Sequence, residues 1–139
     1  MKRIINEMKL RLPSLSVNES VARATVAAFC AQIDPAASEL ADIKCAVSEA
    51  VTNCTVHAYR DVIGTIFITV RLYADRTVKI EIKDKGCGIE DIEKCKQPLY
   101  TTDKSGERGG MGFAIMESFT DKLKVRSAPG KGTTVTMLR

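Results

Sequence analysis

Two neighbouring segments alternate apolar and polar residues and are joined by only three residues. Residues 65–73 read TIFITVRLY, and residues 77–84 read TVKIEIKD. Because successive side chains of a strand point to opposite faces, each segment predicts a strand with one buried face. The connection Ala74-Asp75-Arg76 is short and predicts an antiparallel hairpin. A hairpin is stable only within a larger packed structure, so the chain is expected to cover this face with a second layer.

Further patterns predict the rest of the sheet and the layer that covers it. Met8–Leu12 alternates and predicts an N-terminal edge strand, while Lys122–Ser127 and Thr133–Leu138 predict a final hairpin. Ser16-Val17-Asn18-Glu19 has the form of a capping box, and it predicts a first helix whose apolar face includes Val21.

A second, longer helix is predicted from Asp34, with Pro35 at its first helical position, to about Tyr59. Its apolar residues recur at helical spacing and predict a stripe that faces the core: Ile43, Ala46, Val47, Ala50, Val51 and Cys54. The order of these elements predicts an α+β fold, a two-layer sandwich with helices on one face of a mostly antiparallel mixed sheet.

Length, charge and cysteine content limit the class of protein. A chain of 139 residues predicts a single domain, residues 1–139, and a dispersed net charge of +4 argues against nucleic-acid binding. No apolar run reaches the roughly 18 residues of a membrane span, and residues 1–8 become polar too early for a signal peptide. Five cysteines without a CxxC pair favour free thiols over a disulfide framework or a zinc site. We therefore expect a cytoplasmic protein that contacts neither membrane nor nucleic acid directly.

A polar stripe lies beside the apolar stripe of the second helix. Glu49, Asn53 and His57 recur every fourth residue, so helical geometry places neighbours about one turn apart on one face. A carboxylate and a carboxamide in this arrangement could serve as general base and magnesium ligand. A solvated helix face has the same pattern, so the stripe alone does not decide between the two interpretations.

Two polar residues are predicted on the buried face of the sheet. By period-two alternation, Asp84 shares the face of Ile82, and Thr133 shares the face of Val135. A buried carboxylate needs a partner, which a ligand amino group such as that of adenine would supply. The alternative is an aspartate exposed at a frayed strand end, or one in a turn before Gly86.

A glycine-rich segment, Lys85–Gly110, separates the two hairpins and precedes a predicted short helix, Met111–Phe119. Loops of this length in small domains are commonly lids or binding loops. Residues 106–112 read GERGGMG, and a glycine-rich turn into a helix N-terminus offers backbone N–H groups to a phosphate. Arg108 adds a guanidinium group suited to phosphate oxygens. No Walker A sequence occurs in the chain.

The order of these motifs resembles that of the GHKL ATPases, the superfamily of gyrase B and the histidine kinases. The N, G1 and G2 boxes of that superfamily correspond here to Glu49 with Asn53, residues 84–88 and residues 110–112. Its sporulation anti-sigma factors, which are serine kinases that also bind a sigma factor, are similar at residues 18–23, 47–53, 97–102 and 110–117. The resemblance implies the Bergerat-type sandwich of the superfamily.

The resemblance also implies a role for each site residue. Glu49 would be the general base that takes the proton of a protein serine, and Asn53 would hold Mg²⁺ against the triphosphate of ATP. Asp84 would accept a hydrogen bond from the adenine amino group, with Thr133 in support. The other residues that would contact ATP or ADP are Gly86, Gly88, Thr101, Thr102, Arg108, Gly110 and Gly112.

For partners, the resemblance implies sigma factor F, an anti-anti-sigma factor as phosphorylation substrate, and a homodimer. Arg23 would lie on the partner-binding surface, although a solvated helical arginine has the same sequence signature. Two alternatives stay open. One is a nucleotide-gated module that binds a sigma factor without kinase activity, and the other is an anti-sigma kinase of the general-stress branch.

Overall fold

The computed structural model describes residues 3–58, 63–86, 116–128 and 132–139. Its strands and longer helices are, in chain order, β1 (Ile4–Pro13), α1 (Asn18–Cys30), α2 (Ala37–Asn53), β2 (Thr65–Tyr73), β3 (Val78–Asp84), β4 (Lys122–Ala128) and β5 (Gly132–Leu138). A short 3-10 helix, Ala31–Ile33, follows α1, and a π-helix, Cys54–Ala58, continues α2.

The strands form one five-stranded sheet in the order β1-β2-β3-β5-β4. Both predicted hairpins are confirmed, and all four strand pairings in the described ranges are antiparallel. The turn between β2 and β3 includes Arg76 at a φ of 72°. β1 lies at one edge, as its alternation predicted. The predicted α+β sandwich is therefore confirmed, with no parallel pairing among the described residues.

One face of the sheet packs against the two helices. The apolar side chains of this inner face in the central strands are buried: Ile66, Ile68, Val70, Leu72, Val78, Ile80, Ile82, Val135 and Met137. The predicted stripe of α2 is buried against them, from Ile43 to Cys54. Because these residues form a single buried cluster, α2 has a fixed position on the sheet. That position sets where its polar stripe meets the end of β3.

The start of α1 differs from the sequence prediction. Its N-cap is Val17, without a side-chain hydrogen bond, and Ser16 contributes only its carbonyl, which accepts the Glu19 N–H at 3.2 Å. The predicted capping box is therefore wrong, because the Glu19 carboxylate pairs instead with Arg23 at 3.0 Å. The apolar face is also rotated from the predicted one. Val21 is 43% exposed, whereas its neighbour Ala22 is buried.

The start of α2 also differs from the prediction. Asp34 does not cap the helix, because it ends the preceding 3-10 turn in the left-handed conformation, with a φ of 52°. The helix begins three residues later, after the extended residue Ala36, whose N–H donates to Glu39 Oε1 at 3.1 Å. The predicted continuation of this helix beyond Asn53 holds as far as the π-helix, since Tyr59 lies outside the described residues.

Most of the glycine-rich segment predicted as a lid or binding loop lies outside the described residues, which include only Lys85 and Gly86 of residues 85–110. Of the predicted helix Met111–Phe119, residues 116–118 are helical and residues 111–115 lie outside the described ranges. Met116 is completely buried in the core cluster. No helix in the described part of the chain is long and apolar enough to cross a membrane.

Candidate functional site

Asp84 ends β3 on the inner face of the sheet and is only 5% exposed. Its Oδ1 atom accepts the backbone N–H of Gly86 at 2.9 Å and that of Thr133 at 3.2 Å. Its Oδ2 atom accepts the thiol of Cys54, with the sulfur at 3.7 Å. The predicted inward position of Asp84 is therefore confirmed, and its burial excludes an exposed, frayed strand end. The alternative of a turn aspartate before Gly86 holds in part, because the same carboxylate also accepts the Gly86 N–H two residues further on.

The buried position of Asp84 changes its acidity. Burial raises the pKa of the carboxyl group above its ordinary value, while the hydrogen bonds from Gly86, Thr133 and Cys54 act to lower it. The internal donors thus compensate only part of the desolvation of the charged form. A ligand that brings another hydrogen-bond donor to this carboxylate would stabilise the ionised form further. Titratable groups with a shifted pKa are concentrated at functional sites.

A row of polar side chains crosses the sheet at the level of Asp84. Asp84 pairs in register with Thr133 of β5, which pairs in turn with Ser127 of β4. Ser127 Oγ donates to the Gly132 carbonyl at 3.0 Å and lies 2.8 Å from Thr133 Oγ1. Since Ser127 has one hydroxyl proton, Thr133 is the donor of the second bond. Ser127 was not among the residues predicted from the sequence, although its alternation with Val125 on β4 could have placed it on the inner face.

Gly132, at the start of β5, lies against the backbone of Asp84 and Lys85. It has a φ of +88°, a conformation that residues with a side chain rarely adopt. A Cβ atom at this position would lie 2.3 Å from the Asp84 carbonyl oxygen and 2.8 Å from the Lys85 Cα. Both neighbours are backbone atoms, so neither can rotate away. Glycine at this position therefore allows β5 to supply the Thr133 N–H to Asp84.

We expect Gly132→Ala to lower the free energy of unfolding by about 2–4 kcal/mol, because strain at a positive φ adds to a backbone collision. The measurement is chemical denaturation monitored by circular dichroism. Thr134→Ala, two residues further along the same strand, is the matched control and should cost less than about 1 kcal/mol. A Gly132→Ala variant as stable as this control would show that β5 can move away from Asp84 at little cost.

The end of α2 lies over the end of β3. The contact between Cys54 and Asp84 joins the two elements, and Asn53 directly precedes Cys54. Asn53 Nδ2 is buried and has no hydrogen-bond partner among the residues that the structure describes. Buried polar atoms of native proteins are nearly always paired, so this amide is a candidate for contact with a bound group. Glu49 is half-buried one turn before Asn53.

The other residues that the sequence singled out have different positions relative to the described part of the chain. Gly86 is brought into the site, since its N–H donates to Asp84. Arg23 lies on α1, where it pairs with Glu19 and donates to Ser48 Oγ of α2 at 3.4 Å. His57 lies in the π-helix, and its side chain is outside the described part. Also outside the described residues are Gly88, Thr101, Thr102, Arg108, Gly110 and Gly112.

Comparison with known proteins identifies the family of this chain. Residues 12–139 match the family model of the histidine kinase-like ATPase domain. The anti-sigma F factor of Caldanaerobacter subterraneus is 56% identical over 96% of this chain and 93% of its own length. The anti-sigma F factor of Clostridium acetobutylicum is 49% identical over 95% of this chain and 92% of its own length. The chain therefore belongs to the histidine kinase-like ATPase family and, within that family, to the anti-sigma F factors.

Solved structures agree on the fold. The structure of the RsbU and RsbW domains of a Mycobacterium tuberculosis protein superposes with a TM-score of 0.69 at 22% identity, covering 96% of this chain and 32% of that one. The histidine kinase domain of a blue-light activated kinase from Erythrobacter litoralis gives a TM-score of 0.58 at 20% identity, covering 86% of this chain and 59% of that one. The predicted GHKL fold is thus confirmed.

Proposed function

We propose that the chain is an anti-sigma factor that binds sigma factor F and uses Mg-ATP to phosphorylate a serine of its anti-anti-sigma factor. The observation that carries the proposal is the contact between the end of α2 and the buried carboxylate of β3, through Cys54 and Asp84. This contact brings the helix that carries Glu49 and Asn53 to the residue proposed to bind adenine. One site would therefore bind both ends of the nucleotide.

In this proposal Asp84 accepts a hydrogen bond from the amino group of adenine. The support is its burial together with the contacts of Oδ2, which among the described residues accepts only the Cys54 thiol and so retains acceptor capacity. Thr133 and Gly86 hold the carboxylate in place through their N–H groups. We further propose contacts to the nucleotide from the loop residues Gly88, Thr101, Thr102, Arg108, Gly110 and Gly112.

Asn53 is proposed to bind the triphosphate of ATP and its Mg²⁺ ion. Its buried Nδ2 has no acceptor in the described ranges and suits a phosphate oxygen, while the amide oxygen is a ligand type that Mg²⁺ prefers. No cluster of three or more His, Cys, Asp or Glu side chains suited to a metal occurs in the described ranges. A single protein ligand is compatible with Mg²⁺, which is commonly shared between the protein and substrate phosphates. When bound, the ion would neutralise charge on the triphosphate.

Glu49 is proposed as the general base. Its carboxylate would take the proton of the substrate serine while the serine oxygen forms a bond to the γ-phosphorus of ATP. The bond between that phosphorus and the bridging oxygen breaks, and ADP leaves with the electron pair. The products are phosphoserine, ADP and protonated Glu49. A protein that only sensed nucleotide would not need a carboxylate at this position, so Glu49 favours the kinase over the nucleotide-gated module.

Partner binding is proposed for the first turns of α1. Val17 and Val21 are 65% and 43% exposed there. Arg23 pairs with Glu19 and donates to Ser48, the residue directly before Glu49. Exposed apolar residues close to an arginine are typical of protein interfaces. We also propose that residues 1–139 act as one domain, as a homodimer in the cytoplasm.

The partner proposal predicts that Arg23→Ala weakens binding of sigma factor F about tenfold or more, while ATP affinity stays within about twofold. Titration calorimetry with each ligand gives both numbers. Arg126→Ala, an exposed arginine on β4, is the matched control and should leave both affinities unchanged. Normal sigma binding by the Arg23 variant would contradict the assignment of α1 as the partner surface. Titration with a general-stress sigma factor tests the alternative branch in the same experiment.

A further inference from the structure

We infer that Cys54 is a positioning residue for recognition of the nucleotide base. Its thiol holds the Asp84 carboxylate so that one acceptor position is left for the amino group of adenine. This inference rests on the role of Asp84 in the proposed function, and it concerns a residue whose spacing alone indicates only a place in the apolar stripe of α2.

The contact that carries the inference joins two buried side chains. Cys54 is 3% exposed and Asp84 is 5% exposed, and the sulfur lies 3.7 Å from Oδ2. This distance suits sulfur, which is larger than oxygen. A thiol is a weak donor, but an ionised acceptor in a water-poor environment strengthens the bond. Cys54 is therefore more than a small apolar residue at this position.

Counting the acceptor positions of Asp84 shows what the thiol contributes. An ionised carboxylate offers about four lone-pair positions. The N–H groups of Gly86 and Thr133 fill those of Oδ1. The thiol fills one position of Oδ2. Within the described part of the chain one acceptor position of Oδ2 remains, and it is suited to a ligand that donates a hydrogen bond.

The position of Cys54 in the chain couples the two ends of the proposed site. It begins the π-helix at the end of α2 and directly follows Asn53. Such π-helical segments occur frequently at functional sites. Because Cys54 contacts Asp84, a movement of the Asn53 end of α2 would also move the group that orients the adenine acceptor.

A second buried cysteine offers a matched control. Cys30 of α1 is completely buried, and burial alone raises its pKa to about 12. Each cysteine can be replaced by alanine, a good helix former that removes the thiol from a similar apolar environment. Only the Cys54 substitution removes a hydrogen bond to Asp84.

The test compares ATP with purine riboside triphosphate, which lacks only the amino group, by titration calorimetry. The wild-type protein should prefer ATP. We expect Cys54→Ala to reduce this preference about 3–10-fold, with affinity for the analogue within about twofold, whereas Cys30→Ala keeps the preference. In an Asp84→Asn background, Cys54→Ala should have no further effect on the preference.

An equal loss of affinity for both nucleotides in Cys54→Ala, or an unchanged preference, would overturn the inference, because either result is what a packing role alone gives. A wild-type protein that binds both nucleotides equally would overturn it together with the adenine role of Asp84. If instead the preference depends on Cys54 but no phosphate reaches serine, the inference stands and the kinase proposal fails.

Discussion

Replacing Asp84 by asparagine is expected to lower the affinity for ATP about 100-fold or more, while the protein stays folded. The two N–H groups at Oδ1 hold that atom as an acceptor, so the new amide would place its NH₂ group at the Oδ2 position. The amino group of adenine would then face another donor in a buried site, with neither group satisfied. Titration calorimetry with ATP is the direct measurement.

The stability of this variant shows whether a loss of ATP affinity comes from a lost contact with the ligand or from unfolding of the protein. Burial raises the pKa of Asp84 in the folded state, so the protonated form favours folding, and this contribution is lost as pH rises through the folded pKa. At neutral pH the ionised carboxylate therefore lowers stability, which a neutral amide does not. Asp84→Asn should unfold at the same or a higher temperature than wild type at pH 7 without nucleotide. The difference should shrink as the pH is lowered.

An Asp84→Asn protein that binds ATP within about threefold of wild type would contradict the proposed adenine contact. Loss of ATP affinity together with a markedly lower unfolding temperature would contradict it as well, because Asp84 would then be a structural residue. Thr136→Ala on β5 is a suitable control, since Thr136 lies on the opposite face of the sheet from Thr133.

Replacing Glu49 by glutamine is expected to reduce the rate of phosphate transfer to serine about 10²–10⁴-fold, with ATP affinity within about threefold of wild type. The amide has nearly the same shape but cannot accept the proton of the serine hydroxyl. Single-turnover transfer with ATP in excess measures the chemical step separately from binding. The split between rate and affinity distinguishes a general base from a residue that only holds the nucleotide.

Glu81→Gln is the matched control for this prediction. Glu81 lies on the outer face of β3, close to Arg71 and Lys79, and its replacement should change neither transfer rate nor ATP affinity. Transfer by the Glu49→Gln protein at the wild-type rate would contradict the assignment of Glu49 as the base. A loss of both rate and ATP affinity would assign Glu49 to nucleotide binding instead.

The strands and the inward position of Asp84 could be predicted because the period of a strand is strict. Once Ile80 and Ile82 face the core, Asp84 must follow on the same face, and burial confirms it. Helix starts depend on weaker local choices. Asp34 is a good helix-capping residue in general, yet here it adopts the left-handed conformation that ends the preceding turn. The sequence pattern alone does not separate these two uses of aspartate.

Contacts between distant residues could not be predicted from local patterns. Cys54 and Asp84 are 30 positions apart, and Cys54 fits the apolar stripe of α2 as well as any other small residue. Only the packing of the helix on the sheet brings its sulfur to the carboxylate. The contact of Ser127 with Thr133 could not be predicted for the same reason, because it depends on the register between β4 and β5.

The most direct test of the proposed function is transfer of label from γ-labelled Mg-ATP to the anti-anti-sigma factor by the purified wild-type protein. We expect one labelled serine per substrate chain, with ADP released in equal amount. We also expect loss of labelling with Glu49→Gln and normal labelling with Glu81→Gln. Tight binding of ATP and of sigma factor F without any labelled serine would contradict the proposed kinase activity, and the protein would then be a nucleotide-gated binding module.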